Sequence, residues 1–282
     1  MFALCRTDAG GKIAVKLYLY GIVDSSDQIK EAIDGLGGSG VYSIPYCDIG
    51  VVVSEIDQVT QGVTQGCVLE HEAVVEKLMA DFTVLPMRFR TLIDGRDNLL
   101  AMMQSYYRDF KGNLERLRNK SEFGVKVIWP ADKVKENIVN RLRSDQPEMS
   151  GPHRSAGTRF MKEKFERYKI DEEFQTKADQ FIKAMDMFLG KFAVEKRLEK
   201  LKTEKLLLNA AYLVEKSRAC DFREAFWHIK SAHPGFKFLL SGPWPAYNFV
   251  GLSKHDPARD AEQANLFAEV ARSQALVGAD SV

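Results

Sequence analysis

Cysteine is scarce in this chain. Its four cysteines, Cys5, Cys47, Cys67 and Cys220, are scattered and none forms a CxxC pair. That spacing argues against a zinc knuckle and a disulfide framework, and it fits a reducing cytoplasm. Long apolar runs are missing as well. Nothing approaches the roughly 20 uninterrupted residues of a membrane span, and the start, Met1-Phe2-Ala3-Leu4-Cys5-Arg6, lacks the apolar segment of a signal peptide. Charge of one sign is also absent: 40 Lys and Arg stand against 39 Asp and Glu, a net +1. No global pull toward nucleic acid or an anionic membrane follows. The five histidines (His71, His153, His228, His233, His255) show no metal-ligand spacing. The glycine-rich stretch Gly35 to Gly40 follows a helical pattern, whereas a dinucleotide fingerprint follows a strand and opens a helix. No metal and no organic cofactor are therefore expected.

What remains is an ordinary globular composition, 45% hydrophobic and 28% charged over 282 residues, enough for a large core and two domains. Lys16 to Val23 is β-rich. Asp24-Ser25-Ser26-Asp27 offers a helix cap, and Ile29, Ala32, Ile33 and Leu36 recur at helical spacing. Val41 to Pro45 and Ile49 to Ser54 then read as a hairpin. Leu69 to Ala80 predicts a helix with Val74, Val75, Leu78, Met79 and Phe82 on one stripe. Val84 to Phe89 is extended, because the residue before a proline avoids α geometry. Asp97 predicts the cap of a helix carrying Leu99, Met103, Phe110 and Leu117.

In the second half, Gly124 to Pro130 is a strand and Pro147 to Gly157 a loop. Thr158 to Lys205 is helical, with a seam of Phe174, Ala178, Phe181, Met185, Phe188 and Phe192 and a mixed-charge run from Glu195 to Lys205 on a solvated helix face. Leu206 to Val214 is a strand, Asp221 starts a helix, and Phe236 to Ser241 is the last strand. The expected fold is α+β in two domains, each ferredoxin-like or modified ferredoxin-like, with a long charged helix or helical hairpin in the C-terminal half. The boundaries fall at 1–121, 122–255 and a helical tail at 256–282.

The candidate contact residues are Arg88, Phe89, Trp244 and Tyr247. In an extended segment Arg88 and Arg90 point to one face and Phe89 to the other. Arg88 either meets a carboxylate on a partner or pairs internally with Glu70, Glu72 or Asp94. Trp244 and Tyr247, set among Pro243 and Pro245, are either partner-facing anchors or aromatics folded back over a sheet edge. His71 reads as a neutral side chain capping or packing at a helix start.

Four stretches carry a family resemblance. They are Leu69-Glu70-His71-Glu72-Ala73-Val74-Val75-Glu76-Lys77-Leu78 with Thr83-Val84-Leu85-Pro86-Met87-Arg88-Phe89-Arg90-Thr91, then Leu240-Ser241-Gly242-Pro243-Trp244-Pro245-Ala246-Tyr247. Tyr18-Leu19-Tyr20-Gly21-Ile22-Val23 and Leu213-Val214 complete the set in the expected order. In these the chain resembles the gas vesicle protein L/F family. One position departs: the family usually has glycine where this chain has Arg90, and glycine alone takes φ > 0 at no steric cost. The resemblance implies a non-enzymatic accessory or minor structural protein of gas vesicle assembly. Its implied partners are the small hydrophobic shell protein and other vesicle accessory proteins. The alternatives are an enzyme or small-anion-binding protein using a ferredoxin-like cleft near Arg88, and a helical scaffold working through the seam around Phe181 and Phe188.

Overall fold

The computed structural model describes residues 16–29, 32–56, 64–144, 156–199 and 203–252. The expected tail at 256–282 lies outside them, as does the expected loop at 147–157 up to Ser155. The described residues divide into two compact units: those within 120–244 form one, and those on either side form the other. Both are built of helices and an antiparallel sheet.

The first unit holds β1 (Lys16–Val23), β2 (Val41–Tyr46), β3 (Ile49–Ile56), α1 (Gln65–Asp81), β4 (Val84–Pro86), β5 (Leu92–Asp94) and α2 (Gly95–Leu117). The sheet order is β2-β3-β1-β4, with β5 also on β1. β1 is buried along nearly its whole length. Period-2 alternation sends Tyr18 and Tyr20, and past the register shift between Leu19 and Gly21 also Val23, into a core with Val52, Val74, Val75 and Leu78; α1 packs there, and α2 packs on β1, β4 and β5. The second edge of β1 is shared. β4 pairs with residues 21–23 and β5 with residues 16–18, so the two short strands are one edge strand interrupted at residues 87–91. Met87 N–H to the Tyr20 carbonyl (2.9 Å) and Leu19 N–H to the Thr91 carbonyl (3.0 Å) fasten the ends of that interruption.

The helix expected after Asp24 does not form in the described part of 24–36; only a short 3-10 turn, Leu36–Gly38, appears. The cap is diverted. Asp24 Oδ1 accepts the Thr83 N–H at 2.8 Å, and the Ser25 hydroxyl accepts the Asp27 N–H at 3.1 Å. Likewise α2 starts two residues before Asp97, with Asp94 at its cap position.

The second unit holds β6 (Lys120–Ile128), α3 (Ala131–Ser144), α4 (Ala156–Leu189), β7 (Ala193–Leu198), β8 (Leu206–Glu215), α5 (Ala219–Ala232) and β9 (Lys237–Trp244). Its sheet runs β7-β8-β6-β9, all antiparallel. Phe123, Val125 and Val127 of β6 and Leu208, Ala210, Tyr212 and Val214 of β8 face a core shared with the three helices. The seam of α4 lies in it: Phe174, Ala178 and Met185 are buried, and Phe181 and Phe188 pack against the same cluster. That use of Phe181 and Phe188 removes the basis for a scaffold acting through them.

Residues 193–198 are a strand and not the expected helix face. Glu, Lys, Arg and Leu favour helices, but α4 stops at Leu189 and a 3-10 turn at Gly190–Phe192 redirects the chain. Lys196 then pairs with Asp186 of α4 while its backbone joins β8. Tertiary pairing overrides propensity at this edge, and charge on an edge strand discourages further pairing.

Candidate functional site

The interruption between β4 and β5 is the first candidate. Residues 88–91 form a turn closed by the Thr91 N–H on the Arg88 carbonyl at 3.1 Å, with the Thr91 hydroxyl on the same oxygen at 2.7 Å. The expected extended segment therefore ends at Pro86. Arg90 sits at the third turn position with φ 67, in the left-handed region where glycine is usual. Arg90 thus holds a backbone conformation that glycine would take at no steric cost.

A buried network holds the turn from below. The Met87 carbonyl can only accept, so His71 Nε2 carries the proton and donates to it at 3.1 Å. Nδ1 is then a bare acceptor and takes the Tyr18 O–H at 2.9 Å. The Tyr18 oxygen in turn accepts the Arg90 N–H at 3.1 Å. Every polar atom of this chain is satisfied by a neutral imidazole. Burial pushes the His71 pKa down, with its bond to Met87 opposing. Burial also pushes Tyr18 up to about 12. His71 stacks on Tyr20 with ring centroids 5.5 Å apart. Phe89, half-buried, presents its ring to Tyr18 at 6.4 Å and to His71 at 5.9 Å.

Arg88 is exposed, and among the described residues it makes no ion pair with Glu70, Glu72 or Asp94. Glu70 accepts the Gly37 N–H at 2.9 Å, and Asp94 lies 3.5 Å from Lys16. The internal pair considered for Arg88 does not form. The nearby perturbed groups, Tyr18 and His71, are buried and bonded to each other, so neither is open to a substrate.

The second candidate is the end of β9. Trp244 belongs to the second unit and Tyr247 to the first; Arg88 and Phe89 lie in the first. Trp244 is 39% exposed and Tyr247 38%, so neither ring is core. The Gly242–Pro243 bond is cis and Gly242 has φ 103. A Cβ there would stand 2.5 Å from the Glu122 carbonyl oxygen and 3.2 Å from Trp244 Cδ1. Only glycine lets the chain end against β6 in this way. β9 pairs with β6 alone, so it is an edge strand, and Leu239 on it is exposed.

Beyond Trp244 the chain is fastened to α2. Asn113 Nδ2 donates to the Gly251 carbonyl at 2.6 Å, and its Oδ1 accepts the Gly251 N–H at 3.2 Å. Arg116 donates to the Phe249 carbonyl, and Phe249 is fully buried. Asn113 and Arg116 were not among the sequence candidates. The available signal was an asparagine on the buried stripe of α2, between Phe110 and Leu114. Among the described residues no cluster of His, Cys, Asp or Glu could hold a metal ion, and no helix is long and apolar enough to cross a membrane.

Comparison with known proteins adds a family match, two relatives and two solved structures. The family model described as gas vesicle synthesis protein GvpL/GvpF matches residues 16–251. Gas vesicle protein F2 of Halobacterium salinarum is 26% identical over 251 residues, 88% of this chain and 96% of that protein. Gas vesicle protein F of Streptomyces sp. is 26% identical over 243 residues, 83% and 98% of the two chains. Among solved structures, GvpF from Anabaena sp. PCC7120 superposes with a TM-score of 0.75 at 21% identity, over 86% of this chain and all of the other. GvpF from Microcystis aeruginosa gives 0.69 at 20%, over 84% and 100%. At those identities the structures establish a common fold.

Proposed function

Because the chain belongs to the gas vesicle synthesis protein GvpL/GvpF family, we propose that it is a non-enzymatic accessory or minor structural protein of gas vesicle assembly. It acts in the cytoplasm and at the vesicle by binding the small hydrophobic shell protein and other vesicle accessory proteins. On this reading the two units work as separate α+β domains on ferredoxin-like and modified ferredoxin-like plans.

The observation that carries the binding role is Trp244. Its indole ends an uncharged stretch of an edge strand, 39% exposed, and Gly242 and Pro243 hold it in place. A large aromatic fixed before binding loses little entropy on contact and suits an apolar partner. Tyr247 and the Arg88–Phe89 turn offer further contacts on the first unit. Trp244→Ala should leave the melting temperature unchanged and weaken binding to purified shell protein by about 2 kcal/mol or more, roughly thirtyfold. Tyr247→Ala and Arg88→Ala, made separately, rank the other contacts. Normal affinity in a normally folded Trp244→Ala variant would remove this residue from the interface.

A further inference from the structure

The first turns of α4 stand clear of the core. Residues 157–165 and 167–169 are all exposed, and packing on the sheet begins at Ile170 and Phe174. Yet Phe160, Met161, Phe165 and Tyr168 lie in this stretch, each between 58% and 64% exposed. A helix of 3.6 residues per turn advances about 100° per residue. Met161, Phe165 and Tyr168 therefore fall within about 60° of one another, with Phe160 at the shoulder of the stripe.

The charges around the stripe are sorted. Lys162 and Lys169 run along one flank and Lys164 along the other. Lys169 Nζ rests 4.9 Å from the Phe165 ring centroid. Glu163 and Glu166 lie toward the back of the helix together with Arg159 and Arg167, and Glu166 pairs with Lys162 at 3.6 Å. An apolar stripe edged with lysine fits a partner that is apolar at the same spacing and edged with carboxylates. A second copy of this helix would set lysine against lysine. An anionic lipid surface would accept the same basic flanks, but it favours a broad apolar face, whereas Met161, Phe165 and Tyr168 form the narrow i, i+4, i+7 stripe of a helix–helix seam.

We propose that this face of α4 docks an acidic amphipathic helix of another protein, with apolar residues at i, i+4 and i+7 and Glu or Asp beside them. The partner completes a helix pair that the isolated segment, marginal at this length in water, cannot make alone.

The test uses the full chain and two synthetic peptides of about three heptads, alike in their apolar seam, one edged with Glu and the other with Lys. Calorimetry at low salt should show binding of the Glu peptide only. Phe165→Ser with Tyr168→Ser should weaken that binding at least thirtyfold at unchanged melting temperature. Lys162→Glu with Lys164→Glu and Lys169→Glu should transfer the preference to the Lys peptide. Equal binding of both peptides, or binding of neither, overturns the proposal. So does sedimentation showing self-association that Phe165→Ser abolishes, or stripe-dependent binding to phosphatidylserine vesicles in place of the Glu peptide.

Discussion

Replacing Arg90 with glycine should stabilise this protein. The residue holds φ 67, where an L side chain costs about 1–2 kcal/mol. Glycine removes that strain but adds freedom to the unfolded chain, at about 0.5–1 kcal/mol. Nothing else changes hands. The Arg90 side chain is exposed and makes no hydrogen bond or ion pair among the described residues, and its N–H bond to the Tyr18 oxygen survives in glycine. The balance is a gain of about 0.7 kcal/mol, the midpoint of a range of about 0–1.5 kcal/mol. At about 2–4 °C per kcal/mol for 150–250 residues, the melting temperature should rise by about 1–4 °C. Arg90→Val should move the other way, because a β-branched residue is poorly tolerated at φ > 0. Differential scanning calorimetry on the three proteins decides it. A glycine variant that melts below the parent, or a valine variant that melts with it, would refute the strain argument.

Stability should fall on acidification from about pH 6.5, the ordinary imidazole value. The folded His71 pKa lies below that of the unfolded chain. Between the two values the unfolded state binds the extra proton, so stability present above 6.5 is lost as pH falls toward the folded pKa. His71→Leu should be less stable at pH 7 and lose this part of the slope in urea titrations; an unchanged slope would exclude His71 as its source. Asp48 acts in a lower window. Its carboxyl bonds to Tyr107 and Lys111 and its pKa is lowered despite partial burial, so its contribution should disappear only below about pH 4. Gly242→Ala should cost about 2 kcal/mol or more, from φ 103 and a Cβ driven into the Glu122 carbonyl. A urea midpoint within error of the parent would contradict that.

The strands of this fold were legible because their patterns are local. β1, the β2–β3 hairpin, β6, β8 and β9 are short runs rich in Val, Leu, Ile and aromatics, and α1 and α2 carry apolar residues at helical spacing. Three elements escaped for different reasons. The helix expected near Ile29 loses its cap because Asp24 serves Thr83, 59 positions away. β7 has helix-forming composition and becomes a strand only through its pairing with β8. α3 is absent from the expected elements although Val134, Ile138 and Leu142 recur every fourth residue. At the candidate site, the part-exposure of Trp244 comes from its place at the end of an edge strand and excludes only a core position. The tie between Tyr18, His71 and Arg90 was invisible, since its bonds span 53 and 72 positions.

The way the chain enters and leaves the second unit has a bearing on modularity. β6 opens that unit and β9 closes it, and Glu122 is the Cα partner of Trp244. Its two ends thus emerge side by side from neighbouring strands, while the first unit is encoded on both sides of it. This is the geometry of an insertion. Adjacent termini let a module be grafted into, or excised from, a host with little disturbance to either. Joining Asn119 to Pro245 through a few flexible residues would yield the host alone, and residues 120–244 the guest. Activities shared between two modules elsewhere can then be assigned to one of them by recombining guests and hosts across relatives.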